Sequence, residues 1–285
     1  MLEGLITGLV SGAAYAILGV SAVVLFRLIG VLDFSQAAVG AFGAYISYLL
    51  FAAGWPIGTA ALMGIACSGV LACLLGMGMA AWFSESGVLT RSAVTIALLI
   101  LLLAAGFRSF GNDPRAIPEI VPGLSLDLGG VRISLSTVIS LAVALAVAAA
   151  VTLVLRKTRV GLQLRAVAER PTTAELLGIN ARSLSIIVWL TVGCLSCLAV
   201  LLVAPTQSPT FGTLSFLIVP ALAAGLVGGF SSVWLAIAGG LGIGALEGIG
   251  SRLPDIAEYR GAIPFLVIVV LLVWVRRKEV WDEAR

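Results

Sequence analysis

The chain has 285 residues, of which 60% are hydrophobic and 11% are charged, with 17 Lys and Arg residues and 14 Asp and Glu residues. Soluble domains carry about 45–50% apolar and about 25% charged residues, and disordered chains combine low hydrophobicity with high charge, so both classes are excluded. At about 20 residues for each helix that crosses a bilayer, the apolar sequence suffices for eight or nine spans. We therefore predict an all-α integral membrane protein, a polytopic bundle of about 8–9 transmembrane helices forming a single domain over residues 1–285.

Charged residues, Pro and Gly divide the sequence into nine apolar stretches. In chain order they lie near residues 5–26, 36–53, 57–83, 88–107, 136–155, 184–204, 214–229, 232–250 and 263–275. None alternates between polar and apolar residues as the strands of a membrane barrel do. The stretch at 36–53 is short and rich in glycine, so a broken or re-entrant helix near residues 30–50 is the alternative to a full crossing there.

The basic residues predict the orientation of the chain. Of the 17, five fall on one side of the predicted membrane, namely Arg108, Arg115, Arg132, Arg252 and Arg260. The other twelve are Arg27, Arg91, six residues between 156 and 182, and Arg276, Arg277, Lys278 and Arg285. The positive-inside rule places the larger group in the cytoplasm. With nine crossings, the N-terminus is then outside and the C-terminus cytoplasmic.

Three of the apolar stretches carry small residues at every fourth position. The three stripes are Gly4, Gly8, Gly12 and Ala16; Gly64, Ser68, Ala72, Gly76 and Ala80; and Ala236, Gly240, Gly244 and Gly248. Small faces of this kind let helix backbones approach closely in lipid, where packing drives association. The stripes predict a tightly packed bundle and do not identify a solute.

The composition also excludes several chemistries. Histidine is absent, which removes His-based acid–base catalysis and HExxH zinc sites. Neither lysine, Lys157 or Lys278, follows a Gly-rich loop, so the chain has no Walker A phosphate cradle. The cysteines lie within apolar runs and are expected to be small packing residues: Cys67, Cys73, Cys194 and Cys197. We predict no catalytic residue, no metal site and no cofactor bound by this chain.

The longest predicted cytoplasmic segment, at about 156–183, is the most informative part of the sequence. Pro171 suits the first turn of a helix, and Gly178 suits the left-handed position just past its end. The residues between them make less than two helical turns, and so short a helix is not stable alone. Two interpretations follow: an ordinary basic loop at the membrane face, or a protruding helix that docks onto a soluble partner.

A second candidate region leads into the 36–53 stretch. Asp33 and Gln36 have the spacing of a capping box, which predicts that they satisfy the amides at the start of a helix. The functional alternative places this helix N-terminus at membrane depth, facing an anionic or zwitterionic group of a solute. Gly40 and Gly43 would then allow close approach of backbone or solute.

Glu247 is the one acidic residue placed well inside an apolar stretch. Intramembrane carboxylates are costly and usually face the bundle interior or a water-filled path. Glu247 is therefore either a structural hydrogen-bond partner or a residue of a translocation path.

Three blocks of sequence resemble the inner-membrane permease subunits of ABC importers of the branched-chain amino-acid type, in the same order as in that family. They are residues 4–47, residues 161–180, which are similar to the cytoplasmic coupling segment, and residues 222–248. A final apolar span and a short basic tail follow, so the resemblance covers essentially the whole chain. One departure is at residues 33–37, where Asp-Phe-Ser-Gln-Ala replaces an Asn-Phe-Ala-His-Gly-like turn of the family.

The resemblance implies a permease in the bacterial cytoplasmic membrane whose ATP is bound and hydrolysed by other subunits. The implied partners are two cytoplasmic ATP-binding subunits, a second homologous permease subunit (identical or not) and an extracytoplasmic solute-binding protein, with no nucleic acid. The implied ATPase-coupling residues are Gly161, Arg165, Ala166, Pro171, Ala174, Glu175, Leu176, Gly178 and Asn180. The candidate translocation-path residues are Asp33, Phe34, Ser35, Gln36, Gly40, Gly43 and Glu247.

The sequence supports two other functions less well. A self-contained secondary transporter or channel predicts intramembrane ion-binding carboxylates and inverted repeats, whereas the sequence offers one acidic candidate and no convincing repeat. An integral-membrane enzyme would need paired acids, histidines or clustered metal ligands in the membrane. The transported solute is expected to be a branched-chain or other small amino acid or a related solute.

Overall fold

The computed structural model describes residues 2–83, 86–118, 125–128, 131–206, 209–253 and 257–283. The helices of its first half are α1 Leu2–Ile29, α2 Gln36–Ala52, α3 Ile57–Trp82, α4 Val88–Phe110 and α5 Leu135–Lys157. Those that follow are α6 Arg159–Glu169, α7 Pro171–Leu176, α8 Ala181–Val203, α9 Phe211–Ser215, α10 Ile218–Val227, α11 Val233–Gly250 and α12 Ile263–Glu283. A small antiparallel hairpin, β1 Ser125–Leu128 and β2 Val131–Ser134, precedes α5.

The predicted all-α membrane bundle is confirmed. Helix is present in each of the nine predicted stretches. Among the described residues, six helices are long and apolar enough to cross a membrane, namely α1, α3, α4, α5, α8 and α11. Three shorter apolar helical segments accompany them, at Gln36–Ala52, Phe211–Val227 and Ile263–Trp274.

The interruptions of the bundle differ in part from those predicted. Between residues 30 and 50, α2 is continuous, and the break is confined to the irregular linker at 30–35, where Gly30 has a positive φ of 73°. The predicted single helix at 214–229 is instead α9 and α10, separated at Phe216 and Leu217. Pro220 explains this break, because it has no N–H to donate to the carbonyl four residues earlier.

Helix α1 is the centre of the bundle, and its small stripe packs against that of α11. A Cβ added to Gly4 would lie 2.5 Å from the Gly248 carbonyl oxygen, and one added to Gly12 would lie 3.0 Å from the Leu241 Cα. The contacts run in opposite order along the two helices, so α1 and α11 are antiparallel. Glycine at these positions lets the two backbones make contact. In lipid, where the hydrophobic effect does not hold helices together, such close packing drives their association.

The second small stripe, from Gly64 to Ala80, joins α3 to α2 and α8. Ser68 is buried, and its hydroxyl lies 3.0 Å from the Val39 carbonyl on α2 and 2.9 Å from the Gly193 carbonyl on α8. At Gly76, an added Cβ would overlap the indole of Trp189. Polar contacts and small residues therefore tie three helices together beside α1.

Arginine contacts define one end of the bundle, which we call the basic end. Arg91 donates to the carbonyls of Ile29 (2.9 Å) and Phe83 (3.0 Å), and Arg27 donates to Ser231 (3.3 Å). These bonds bring together the end of α1, the chain after α3 and the starts of α4 and α11. Arg252 packs beside Gly4 at the opposite end of the bundle. Arg27 and Arg91 therefore lie at one end and Arg252 at the other, as the distribution of basic residues in the sequence predicts.

Candidate functional site

Helices α6 and α7 form the segment between α5 and α8 at the basic end. Thr158 ends α5 and begins α6, and its hydroxyl accepts a hydrogen bond from the Gly161 N–H at 3.1 Å. A Cβ on Gly161 would lie 2.6 Å from the Leu155 Cα. The chain can therefore turn this sharply only with glycine at 161. Helix α6 was not identified from the sequence, where the basic residues around it predicted only a cytoplasmic segment.

Helix α7 begins at Pro171 and ends as predicted. Gly178 has a φ of 81°, in the left-handed region that favours glycine, and its N–H donates to the Glu175 carbonyl at 2.9 Å. Ile179 N–H donates to the carbonyl of Ala174, whose side chain is buried. Asn180 then caps α8, since its Oδ1 accepts from Ser183 N–H at 3.0 Å. Pro171 and Gly178 thus shape the two ends of α7, and Asn180 begins the helix that follows.

The tip of α7 presents two leucines to the surroundings. Leu176 is 88% exposed and Leu177 is 75% exposed. Two adjacent exposed leucines offer apolar surface that another molecule could cover, and docking at this position stays a prediction. Leu177 was not predicted from the sequence, because only its position directly after α7 distinguishes it from the many leucines of the apolar stretches.

The remaining predicted coupling residues divide between α6 and α7. Arg165 is exposed, and its Nε lies 3.4 Å from the Gly161 carbonyl, while Ala166 is half-buried on the same helix. Glu175 is exposed and faces a cavity of about 530 Å³ between α7 and the body of the bundle. The segment therefore has an outer surface at Leu176 and Leu177 and an inner surface at Glu175.

The linker between α1 and α2 is held from both sides. Asp33 is buried, and its Oδ1 accepts bonds from the N–H (2.8 Å) and hydroxyl (2.6 Å) of Ser35. The buried Thr95 hydroxyl on α4 accepts from Phe34 N–H (3.2 Å) and lies 2.9 Å from the Leu32 carbonyl. The role of Thr95 was also not predicted from the sequence, although a threonine within the apolar run of α4 could have indicated it.

The predicted capping box is wrong in its second half. Asp33 does bind a backbone N–H at the start of α2, but the Gln36 side chain does not return to the linker. Its Nε2 donates instead to the Leu18 carbonyl on α1 at 3.0 Å, and its buried Oε1 has no partner among the described residues. Gln36 thereby joins the start of α2 to the middle of α1.

Gly40 and Gly43 face neighbouring helices of the same chain. A Cβ on Gly40 would lie 2.6 Å from the Ser196 carbonyl, and one on Gly43 would lie 2.6 Å from the Cys197 Sγ and 2.5 Å from the Gly64 carbonyl. The close approach predicted for these glycines is therefore made by protein backbone and side chains. Their contact with a solute stays a prediction.

Glu247 bonds to α1, where its Oε2 accepts a 2.8 Å hydrogen bond from the hydroxyl of Tyr15. Asp33 bonds within the linker, to the N–H and hydroxyl of Ser35. These hydrogen bonds of the two predicted acidic residues therefore involve different elements of the bundle.

Comparisons with known proteins agree with this architecture. A family model described as "Branched-chain amino acid transport system / permease component" matches residues 4–272. The high-affinity branched-chain amino acid transport system permease protein BraD of Pseudomonas aeruginosa is 26% identical over 299 residues, covering 95% of this chain and 93% of BraD. The corresponding LivH protein of Escherichia coli is 25% identical over 288 residues, with coverages of 95% and 93%.

The fold is also similar to a solved structure, that of PsaBC from Streptococcus pneumoniae in complex with a Fab. The TM-score is 0.51 at 16% sequence identity, and the match covers 95% of this chain and 89% of that chain. At this identity the likeness concerns the fold alone. Since the family model spans nearly all of the helices described above, the chain belongs to the family of permease components of branched-chain amino acid transport systems.

Proposed function

We propose that this chain is the transmembrane permease subunit of an ABC importer and forms the translocation path for branched-chain or other small amino acids and related solutes. Family membership over residues 4–272 and curated relatives that are permease components of branched-chain amino acid transport systems support this function. ATP would be bound and hydrolysed by two cytoplasmic partner subunits, because the sequence has no Gly-rich loop followed by lysine. A second permease subunit and an extracytoplasmic solute-binding protein would complete the transporter.

The observation that carries the proposal is the exposed pair Leu176 and Leu177 on α7. A six-residue helix is not stable by itself, and α7 leaves its apolar tip uncovered. An ATP-binding subunit that covers this tip would provide the missing apolar contact. Movement of that subunit during ATP hydrolysis would then be transmitted through α6 and α7 to α5 and α8, which continue from them into the bundle.

The solute path would pass the start of α2. Asp33, Phe34 and Ser35 belong to an irregular linker between two apolar helices, and the buried Gln36 has a carbonyl oxygen without a hydrogen-bond partner among the described residues. Irregular backbone at membrane depth is tolerated where it is enclosed by protein or lines a cavity. An acceptor that lacks a donor can bind an ammonium or amide group of a passing solute.

Co-reconstitution with the cognate ATP-binding subunits tests the function. We expect solute uptake that requires ATP, and we expect Leu176→Glu to abolish uptake by weakening binding of the ATP-binding subunits. The matched control is Leu89→Glu, because Leu89 is also 88% exposed and lies at the basic end in the first turn of α4. Uptake without ATP would contradict the ABC importer, and equal loss in both variants would contradict the docking role of α7.

We further propose that the basic end is cytoplasmic, so that the N-terminus is outside and the C-terminus inside. Single cysteines at Thr173 on α7 and Asn112 after α4, both exposed, lie at opposite ends in this topology. In a chain whose four native cysteines are replaced, a membrane-impermeant maleimide should label Asn112→Cys in intact cells. It should label Thr173→Cys only after permeabilisation. The reverse pattern would invert the orientation.

A further inference from the structure

The cavity beneath α6 and α7 has an unbalanced charge. Its volume is about 530 Å³, and it lies between the end of α1, the start of α4 and helices α6, α7 and α8. The charged side chains that line it are Arg27, Arg91, Arg182 and Glu175. Three arginines and one glutamate therefore line a space large enough for a small ligand or a headgroup.

The protein uses these arginines to different extents. Arg91 binds two backbone carbonyls, at Ile29 and Phe83, and so helps to hold the basic end together. Arg27 makes a single bond of 3.3 Å, to Ser231. Arg182, in the first turn of α8, has no hydrogen bond or ion pair with any residue that the structure describes. Arg27 and Arg182 therefore have N–H donors that bind no described residue. The charge of Arg182 has no partner among the described residues.

The rest of the lining is suited to a partly apolar ligand. Phe26, Met79 and Leu164 contribute apolar surface. Trp189 also lines the cavity, but its side chain is only 1% exposed and its indole N–H is buried. The donors available to a ligand are therefore those of the arginines, and arginine binds the oxygens of a phosphate through two parallel N–H bonds.

We propose that this cavity is a binding site for a phosphate group, carried either by an anionic phospholipid headgroup or by a small molecule in solution. Arg182 and Arg27 are its principal ligands, Arg91 adds positive charge, and the single carboxylate of Glu175 leaves an excess of positive charge for the phosphate. Basic pockets between transmembrane helices near the cytoplasmic surface bind lipid headgroups in this manner. A bound phosphate would connect α1 to α8 directly beneath α7.

Binding can be measured on the full-length chain in nanodiscs, without ATP-binding subunits, so the result does not depend on coupling. We expect phosphatidylglycerol to raise the Tm by several degrees relative to phosphatidylcholine, and Arg182→Gln to weaken the apparent affinity about tenfold, the loss of one charge-assisted bond. Titration of glycerol 3-phosphate and inorganic phosphate into phosphatidylcholine nanodiscs distinguishes the sources. A shift with these soluble ions would assign the site to a dissolved phosphate.

Two further variants keep the test decisive. Arg159→Gln removes an exposed arginine of α6 that does not line the cavity, and it should bind like the unmodified chain. Ala168→Phe fills the cavity without changing a charge and should abolish the shift even if Arg182→Gln fails to fold. Equal Tm values in the two lipids together with no effect of the soluble phosphates, or equal losses in Arg182→Gln and Arg159→Gln, would overturn the proposal.

Discussion

The hydroxyl of Tyr15 on α1 donates a 2.8 Å hydrogen bond to the Glu247 carboxylate on α11. Of the two roles open to Glu247 from the sequence, this contact favours the structural one. We predict that Tyr15→Phe lowers the free energy of unfolding by about 1 kcal/mol, the typical size of an interhelical hydrogen bond in a membrane protein. Uptake per folded molecule should be unchanged. Unfolding in SDS titrations, followed by helix content, gives the first quantity, and reconstituted uptake gives the second.

Glu247→Gln provides the complementary measurement. It retains an oxygen that can accept from Tyr15 but removes the charge. Uptake close to that of the unmodified chain is expected. Loss of uptake without loss of stability would instead place Glu247 on the translocation path.

The contact between α1 and α11 gives a second prediction. The Cα and N of Gly12 and the carbonyl of Gly8 occupy the space that a side chain at Gly244 would need, whereas nothing lies within 4 Å of an added Cβ at Gly242. Gly244→Val should cost about 3 kcal/mol or more, because the two backbones must separate. Gly242→Val is the matched control on the same helix and should fold normally. Similar folded fractions for both variants in detergent would refute this packing.

The linker before α2 gives a third prediction. Thr95→Val keeps the volume of the side chain but removes the partner of Phe34 N–H and Leu32 C=O. Leaving these groups unsatisfied should destabilise the protein by about 2 kcal/mol. Thr90→Val, at an exposed position on the same helix, should change stability by less than about 0.5 kcal/mol. If the two variants unfold alike, Thr95 does not hold the linker.

Local patterns in the sequence predicted most of the helices. The length of an apolar stretch is enough to locate a membrane helix in the sequence, because in lipid every backbone N–H and C=O must be hydrogen-bonded within the segment. The ends of α7 were predicted for an equally local reason, since Pro171 and Gly178 have backbone preferences that do not depend on distant contacts. The break between α9 and α10 also has a local cause in Pro220, which was overlooked.

Relations between helices were not predictable in this way. Spacing showed that Gly4, Gly8 and Gly12 share a face, but it could not show that α11 is the partner. The side chain of Gln36 had a plausible local partner in the capping box and took a distant one, the Leu18 carbonyl. The cavity containing Arg27, Arg91 and Arg182 likewise exists only because three segments far apart in sequence meet at the basic end.

The last prediction concerns the end of α7. Gly178 has a φ of 81°, and no atom lies within 4 Å of an added Cβ, so a substitution there changes backbone strain and not packing. Gly178→Val should cost about 1–3 kcal/mol locally, since a β-branched residue is strongly disfavoured at positive φ. We expect this strain to open α7 locally without unfolding the bundle, so global stability should be preserved while ATP hydrolysis no longer drives uptake.

Gly58→Val is the control for this variant. Gly58 is also free of atoms within 4 Å of an added Cβ, but its φ is not in the left-handed region. The measurements are SDS unfolding, ATPase rate and uptake in proteoliposomes containing the ATP-binding subunits. Coupling should be lost in Gly178→Val and retained in Gly58→Val. Normal coupling in both variants would mean that the left-handed residue after α7 is not needed to transmit the movement of the ATP-binding subunit. Docking through Leu176 and Leu177 would then not depend on the conformation in which α7 ends.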